Sequence, residues 1–212
     1  IGDDDDPPTV TFDAATATAA ESAGSVTIGV TLSAASGLDV TMPYTVAGSA
    51  TGSGTDHDLA DGSLTIAAGS TGDSISLTVT EDVLDEDDEI VVVSMTTGSL
   101  TNASAGATTS HALTITDNDA TPSVNFSAAA QPVAESVGGV AATVDLEAVS
   151  GRDVTVPYTV SGSATGSGTD HDLADGTLVI LAGLASGTIT FNATADTMDE
   201  PDETVVVSIT VG

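Results

Sequence analysis

The chain of 212 residues contains no cysteine and no tryptophan, a single basic side chain, Arg152, and only 2% aromatic residues. Without cysteine, neither a disulfide framework nor a thiolate metal site can form. No apolar run approaches the roughly 20 residues that a membrane-spanning helix needs, and no signal peptide is visible. The 32 acidic side chains give a formal net charge of −31, which excludes nucleic acids and anionic membranes as partners.

This density of negative charge opposes compaction unless cations collect on the chain. The protein therefore either lives in high salt, binds multivalent cations, or does both. Intrinsic disorder is another interpretation of an acidic composition. Against it, 40% of the residues are hydrophobic, and they alternate with polar residues in a regular pattern that indicates a folded protein.

An internal repeat organises the chain. The segment PYTVAGSATGSGTDHDLADGSLTI, from Pro43 to Ile66, returns 114 positions later, from Pro157 to Ile180, with three changes in 24 residues. Each repeat is long enough to bury a core of its own. Function must therefore be considered for each repeat and for the junction between them.

The repeat period predicts the domain boundaries. We expect a first repeat at residues 9–119, a short junction at 120–122, and a second repeat at 123–212 that lacks its last strand. Residues 1–8 align with the end of the first repeat, so we expect them to be the tail of a preceding repeat. The sequence is then expected to be an excerpt from a longer array or a subunit completed by a neighbour.

Alternation of apolar and polar residues predicts about seven short strands in the first repeat. The separators are rich in Gly, Ser, Asp and Asn, which turns require. Seven antiparallel strands in about 110 residues indicate an immunoglobulin-like β-sandwich, so the fold class is all-β with two tandem sandwiches. The predicted strands are Val10 to Phe12, Val26 to Leu32, Val40 to Val46, Leu64 to Ile66, Ile75 to Val79, Ile90 to Met95 and Leu113 to Ile115, and in the second repeat Val124 to Phe126, Val140 to Leu146, Val154 to Val160, Leu178 to Leu181, Ile189 to Phe191 and Thr204 to Ile209.

Carboxylates concentrate at the turns of each repeat: an early lone Glu, the turn TDHDLADG, the runs EDVLDEDDE and ADTMDEPDE, and the closing triplet at 117–119 of the first repeat. Turns of a sandwich gather at its two ends, so these groups could converge. Two carboxylates about 4 Å apart repel by roughly 4 kcal/mol at an effective dielectric near 20. Convergence therefore needs a hard cation or raised pKa values, and oxygen-only ligands suit calcium better than magnesium or zinc. The alternative is a solvated acidic surface of a halophilic protein.

Several of these segments together resemble the Calx-β domain, which occurs in sodium/calcium exchangers, integrin β4 and large bacterial surface proteins. They are Glu21 in AAESAG, SGTDHD in place of the usual G-S-D-Y, the G-S/T-L strand that follows, Glu86 to Glu89 leading into a strand, and the closing ITDND. The resemblance covers essentially all of the first repeat and the second as far as it extends. It implies a seven-strand sandwich with calcium at the end where the acidic segments meet the next domain.

Carried over by position, the resemblance implies calcium ligands in both repeats. In the first they are Glu21, Asp56, Glu81, Asp82, the carbonyl of Leu84, Glu86, Glu89, Asp117, Asn118 and Asp119; in the second they are Glu135, Asp170, Asp196, the carbonyl of Met198, Glu200 and Glu203. Ala195 stands where the first repeat has Glu81, and the second closing triplet is missing, so we expect a weaker or incomplete second site. Asp58 and Asp61 are interpreted as turn formers, and His57 and His171 as packing or capping residues.

An enzyme is the least supported class of function. The sequence has no glycine-rich phosphate loop and no nucleophile motif, and its paired carboxylates lie in turns without an aromatic platform for a sugar. We expect calcium-stiffened spacer repeats of a secreted or cell-surface bacterial adhesin, matrix protein or extracellular filament, with neighbouring repeats of the same chain or a homopolymer as partners. The alternatives are a calcium-sensing regulatory module and a filament subunit assembled by β-strand complementation.

Overall fold

The computed structural model describes residues 5–210, so the first four residues of the predicted tail lie outside it. The described chain consists of strands, connecting segments and three 3-10 turns of three residues each. No helix in this part is long and apolar enough to cross a membrane. Contacts between residues divide the chain into two compact units. The first runs to Val83 and continues over Asp87–Asn118, and the second consists of Leu84–Glu86 and the chain from Asp119 onward.

The first unit is a β-sandwich of two sheets, which confirms the predicted fold class. One sheet has the strand order β6-β3-β1-β8 and the other the order β2-β9-β7-β4-β5. The pairs β1/β8 and β2/β9 are parallel, and the other pairs are antiparallel. The strands are β1 (Thr9–Phe12), β2 (Thr16–Ala20), β3 (Ser25–Leu32), β4 (Val40–Gly48), β5 (Gly62–Ile66), β6 (Gly72–Thr78), β7 (Glu89–Met95), β8 (Ser104–Ala105) and β9 (Ser110–Thr116).

The core of the first unit follows from the alternation in its strands. In β3, for example, Ile28, Val30 and Leu32 are buried while the residues between them are more exposed. Side chains from both sheets meet in one cluster that includes Phe12 and Met42. Full burial of one apolar side chain contributes about 1.5–3 kcal/mol. A sandwich with few aromatic residues can therefore still have an adequate core.

Two strands of the first unit are absent from the seven predicted by alternation: β2 and the two-residue β8. The chain leaves β1 and crosses to the other sheet as β2, and Asp13 marks the crossing by accepting a hydrogen bond from the Thr31 hydroxyl at 2.5 Å. A Cβ at Gly29 would lie 2.1 Å from Oδ2 of Asp13, so only glycine leaves room for this side chain. The segment TATAA of β2 has no deeply buried face, which explains why periodicity does not reveal it.

The second unit contains six strands within its described residues, in two sheets of orders β10-β11-β14 and β13-β12-β15. They are β10 (Val124–Phe126), β11 (Gly139–Leu146), β12 (Val154–Gly162), β13 (Gly176–Ile180), β14 (Ser186–Asn192) and β15 (Val205–Ile209). Residues 119–210 include no counterpart of β9, as the sequence predicts. Residues 130–134, which align with β2, do not form a strand, because β2 pairs only with β9 in the first unit.

The absence of a β9 counterpart changes the burial of the neighbouring strand. In the first unit β7 lies between β9 and β4, and its Val91 and Val93 are fully buried. The aligned Val205 and Val207 of β15, which pairs with β12 alone, are only partly buried. The buried cluster of the second unit has six members, among them Val144.

Candidate metal centres

Glu21 is positioned by the strand that precedes it. It opens the 3-10 turn Glu21–Ala23, directly after the last residue of β2, and its side chain is 8% exposed. Its Oε1 accepts a hydrogen bond from the backbone N–H of Asp82 at 3.0 Å. This contact across 61 residues ties the early lone glutamate to the acidic run, as the resemblance implies.

The parallel pairing of β2 and β9 brings a second acidic segment to the same place. Ala20, at the end of β2, pairs with Thr116, at the end of β9, so the residues after the two strands lie side by side. Carboxylate oxygens of Glu21, Asp117 and Asp119 all lie within 4.8 Å of one another. Residues nearly 100 positions apart thus form one group of acidic ligands, called the first cluster below.

Further predicted ligands lie next to the first cluster. The side-chain amide of Asn118 donates hydrogen bonds to both oxygens of Glu81, at 3.1 and 3.4 Å. The backbone N–H of Asp117 donates to Oδ1 of Asp88 at 3.2 Å. The closing triplet and the acidic run are therefore linked at two points besides Glu21.

Other predicted ligands of the first repeat have different surroundings. The carboxylate of Asp56 accepts a hydrogen bond from the backbone N–H of Thr51 within its own turn, and its carbonyl accepts one from Thr80 at 2.9 Å. Glu89 is the first residue of β7. Leu84 and Glu86 belong by their contacts to the second unit.

The second repeat forms a comparable group, called the second cluster below. Oxygens of Glu135, Asp196 and Glu200 lie within 4.8 Å of one another. Glu135 opens the 3-10 turn Glu135–Val137 and accepts a hydrogen bond from the N–H of Asp196 at 3.1 Å, which repeats the contact of Glu21 with Asp82. Asp196 in turn accepts one from the N–H of Met198 at 2.6 Å.

The electrostatics of the second repeat join five predicted ligands. Loss of hydration, together with the charges of Asp196, Asp170 and Glu135, raises the pKa of Glu200 above its ordinary value. Loss of hydration, the charge of Asp170, a hydrogen bond with it and the charge of Glu200 raise the pKa of Glu203. Two carboxyl groups can share a hydrogen bond only if a proton lies between them. The negative charges of these five groups therefore oppose one another.

The donor set of both clusters fits calcium. Each contains three carboxylates and no histidine, and calcium takes six to eight oxygen ligands with tolerant geometry. The residues that would hold it are Glu21, Asp117 and Asp119 in the first repeat and Glu135, Asp196 and Glu200 in the second. A bound divalent cation would offset the repulsion among these groups. The weaker second site remains a prediction.

The two aspartates of the turn TDHDLADG interpreted as turn formers bind N–H groups of neighbouring strands instead, whereas its histidine has the capping role that the sequence suggests. Asp58 accepts a hydrogen bond from the backbone N–H of Thr78 at 2.7 Å, which holds the pKa of Asp58 below its usual value. Asp61 accepts one from Val46, also at 2.7 Å. The ring of His57 is 3% exposed and its Nδ1 is 3.1 Å from the N–H of Leu59. His171 in the second repeat makes the same contact at 3.2 Å.

Sequence reasoning missed an ion pair of the second unit in which the carboxylate is buried and the guanidinium is partly exposed. Asp85, at 6% side-chain exposure, lies 2.6 Å from the guanidinium of Arg152, which is 41% exposed. The hydroxyl of Ser150 donates to the carbonyl and to Oδ2 of Asp85, each at 3.2 Å. The signal available in the sequence was that Arg152 is the only basic residue of a highly acidic chain and must find a carboxylate partner.

The fold and the two clusters define a tandem β-sandwich protein with acidic groups at the strand ends. The chain belongs to the Calx-beta domain family, whose sequence profile matches residues 3–119 and again residues 117–211. A search of curated proteins returned no match.

Solved structures similar to the chain include CBD12 from CALX1.2, CBD12 of CALX1.1 and the Calx CBD1 domain. CBD12 from CALX1.2 is 22% identical over 87% of this chain and 75% of its own, with a TM-score of 0.48. The calcium binding domain CBD12 of CALX1.1 is 21% identical over the same shares, also with a TM-score of 0.48. The apo-form Calx CBD1 domain is 18% identical over 53% of this chain and 98% of its own, again with a TM-score of 0.48.

Proposed function

We propose that the two repeats bind calcium at the first and second clusters and serve as calcium-stabilised spacer repeats of a secreted or cell-surface protein. The observation that carries this proposal is the convergence of three carboxylates in each repeat. In both groups the glutamate accepts a hydrogen bond from the backbone N–H of an aspartate 61 residues later.

Calcium would act by stabilising the folded repeats. The clusters exist only in the folded state, because Glu21 and Asp117 are far apart in the sequence. A ligand that binds only the folded state stabilises it by RT ln(1 + [L]/Kd), about 2.7 kcal/mol at a hundredfold excess over Kd. Extracellular calcium modules commonly have dissociation constants of about 10⁻⁴–10⁻³ M, so calcium outside cells would fill such sites.

The near-identity of the repeats supports a spacer. Twenty-one of 24 residues are unchanged between Pro43 to Ile66 and Pro157 to Ile180, although this segment includes exposed turn residues. A repeated module with one surface suits an array that sets distance and stiffness. A bacterial adhesin, matrix protein or extracellular filament is the setting we propose, with neighbouring repeats as its partners.

A calcium-sensing module is the second candidate, and one observation favours it. The two clusters share only the anchoring glutamate: Asp117 and Asp119 complete the first, and Asp196 and Glu200 complete the second. Different ligand sets give different affinities, which would make the response to calcium graded. Matched affinities at millimolar calcium favour the spacer, whereas a micromolar site in either repeat favours the sensor.

Isothermal titration calorimetry of the 212-residue chain tests calcium binding directly. We expect two classes of sites for calcium and much weaker heats for magnesium, which demands stricter octahedral geometry. Glu21→Gln should remove the first class and Glu135→Gln the second. Asp73→Asn is the matched control, since it removes one charge from the first unit outside both clusters.

Two results would contradict the proposal. The first is an absence of calcium binding in the wild-type chain at millimolar concentrations. The second is binding that all three variants reduce equally, because this would indicate ions held by the general negative charge of the chain rather than by the clusters.

A further inference from the structure

The second unit contains a cleft of about 590 Å³ that the calcium clusters do not use. The start of β11, the end of β14 and the turn before β13 form its walls. Val140, Leu173 and Phe191 line its apolar part, and Tyr158 and Asp175 are among the residues that line the rest. The cleft therefore combines an apolar wall, two aromatic rings and carboxylate groups.

Packing behind the cleft holds both rings in place. His171 is 4% exposed, and its ring packs edge-on against Phe191 with 6.2 Å between the ring centroids. Tyr158 extends its hydroxyl towards Gly176, where a Cβ would lie 2.7 Å from the hydroxyl oxygen. The aromatic surface is thus positioned before any ligand binds, which lowers the entropy lost on binding.

The two carboxylates of the cleft are held in place by hydrogen bonds. The two oxygens of Asp172 accept from the backbone and side-chain N–H groups of Asn192, each at 2.7 Å. Oδ1 of Asp175 accepts from the backbone N–H of Val160 at 2.7 Å, and its second oxygen remains for a ligand. The amide of Asn192 already donates to Asp172, so the cleft offers negative charge, with the hydroxyls of Tyr158 and Thr190 as its other side-chain donors.

These features select a class of ligand. A neutral sugar does not offset the negative charge of the two carboxylates, and a bare metal ion gains nothing from an apolar wall. A group with an alkyl stem and a donor-rich cationic head matches all three features, because the stem packs on apolar surface while the head stays near carboxylates and water. A guanidinium also stacks on aromatic faces and binds carboxylates through two N–H groups.

We propose that this cleft binds an arginine side chain presented by a partner polypeptide. The net charge of −31 would draw a basic partner towards the chain and speed its association. The cleft would then select the side chain by shape, with the stem against Val140 and Leu173 and the head beside Asp175.

The first repeat supplies residues for matched variants. At the positions of Phe191 and Asn192 it has Leu77 and Thr78. Phe191→Leu therefore introduces a residue that the same fold already accepts at this position. Asp61 of the first unit accepts the N–H of Val46 as Asp175 accepts that of Val160, so Asp61→Asn controls for Asp175→Asn.

The test is an NMR titration of the 212-residue chain with N-acetyl-arginine amide at physiological ionic strength and in excess calcium. N-acetyl-citrulline amide, which has the same shape without the charge, is the first comparison, and spermidine is the second. We expect amide shifts confined to residues 139–141, 172–175 and 190–192. Asp175→Asn should weaken binding about three- to fivefold, the size of a solvent-exposed ion pair, and Phe191→Leu about threefold. Asp61→Asn should leave the dissociation constant unchanged.

Four outcomes overturn the proposal. Equal affinity for the citrulline probe would show that charge is not recognised. Shifts spread over the acidic turns of both units, or an unchanged dissociation constant in Asp175→Asn, would show that the cleft is not the site. Tighter binding of spermidine, lost in the same variants, would assign the cleft to a free polyamine instead of a polypeptide.

Discussion

Replacing Glu21 by glutamine should stabilise the first unit in a chelator and remove its stabilisation by calcium. The substitution keeps the size of the side chain and leaves an oxygen to accept the N–H of Asp82. It removes one charge from a group whose oxygens lie within 4.8 Å of one another. In a chelator the variant has less repulsion, whereas in calcium it lacks a ligand.

The magnitude follows from Coulomb's law. At 4.8 Å, two unit charges repel by about 0.9 kcal/mol in bulk water and about 3.5 kcal/mol at an effective dielectric of 20. Glu21 is buried but Asp117 and Asp119 are only partly so, which suggests roughly 1–2 kcal/mol for each of the two pairs. Weakening of the charged hydrogen bond to Asp82 offsets about 1 kcal/mol. We expect a net gain of about 1–3 kcal/mol in chelator, at roughly 4–8 °C in melting temperature for each kcal/mol.

Differential scanning calorimetry is the suitable assay, because the chain has no tryptophan for fluorescence. The wild type should gain about 2.7 kcal/mol at a hundredfold excess of calcium over Kd, and Glu21→Gln, which lacks the first site, should gain none of this in the first unit. Asp73→Asn should melt like the wild type in both conditions. A variant that is less stable than wild type in chelator, and that keeps the full calcium increment, would refute the reasoning.

Three further predictions concern other parts of the fold. Arg152→Leu leaves the buried carboxylate of Asp85 without its cation. Urea denaturation should show that the unfolding free energy of the second unit falls by about 2 kcal/mol, and the double variant with Asp85→Asn should recover part of this loss. The hydrogen bond from Thr78 lowers the pKa of Asp58. It therefore stabilises the fold at pH values above the unfolded pKa near 3.8, and this stabilisation is lost as the pH falls through the lower folded pKa. Asp58→Asn should flatten the acid side of the stability profile measured in chelator. Gly48→Ala places a Cβ 1.9 Å from a backbone carbonyl oxygen at a φ of 139°, and circular dichroism melts should show a loss of about 2 kcal/mol or more.

Much of the fold could be predicted because its strands follow a period of two. Ile28, Val30 and Leu32 are all buried, and alternation of this kind located every strand of the first unit except β2 and the two-residue β8. In β2, alanine and threonine alternate without a deeply buried face. Only its partner β9 makes it a strand, and such pairing over nearly 100 residues leaves no local signal.

The candidate site could be predicted only in part. The link of Glu21 to Asp82, and the approach of Asp117 and Asp119, agree with the resemblance noted in the sequence. Glu86 is different, because its aligned residue Glu200 belongs to the second cluster while Glu86 lies in the second unit. Two residues at the same position of two similar repeats thus have different neighbours, and no single-repeat pattern contains that information.

The parallel pairing of β2 with β9 has a mechanical consequence. Five residue pairs, from Thr16 with Ala112 to Ala20 with Thr116, join the second strand of the first unit, which follows β1 near one end, to the last strand, which lies at the other end. A force that pulls these ends apart acts along two parallel neighbouring strands and loads their hydrogen bonds in shear, all at once. An antiparallel hairpin pulled from its open end would instead break one bond after another. The first unit is therefore built to resist tension along the chain.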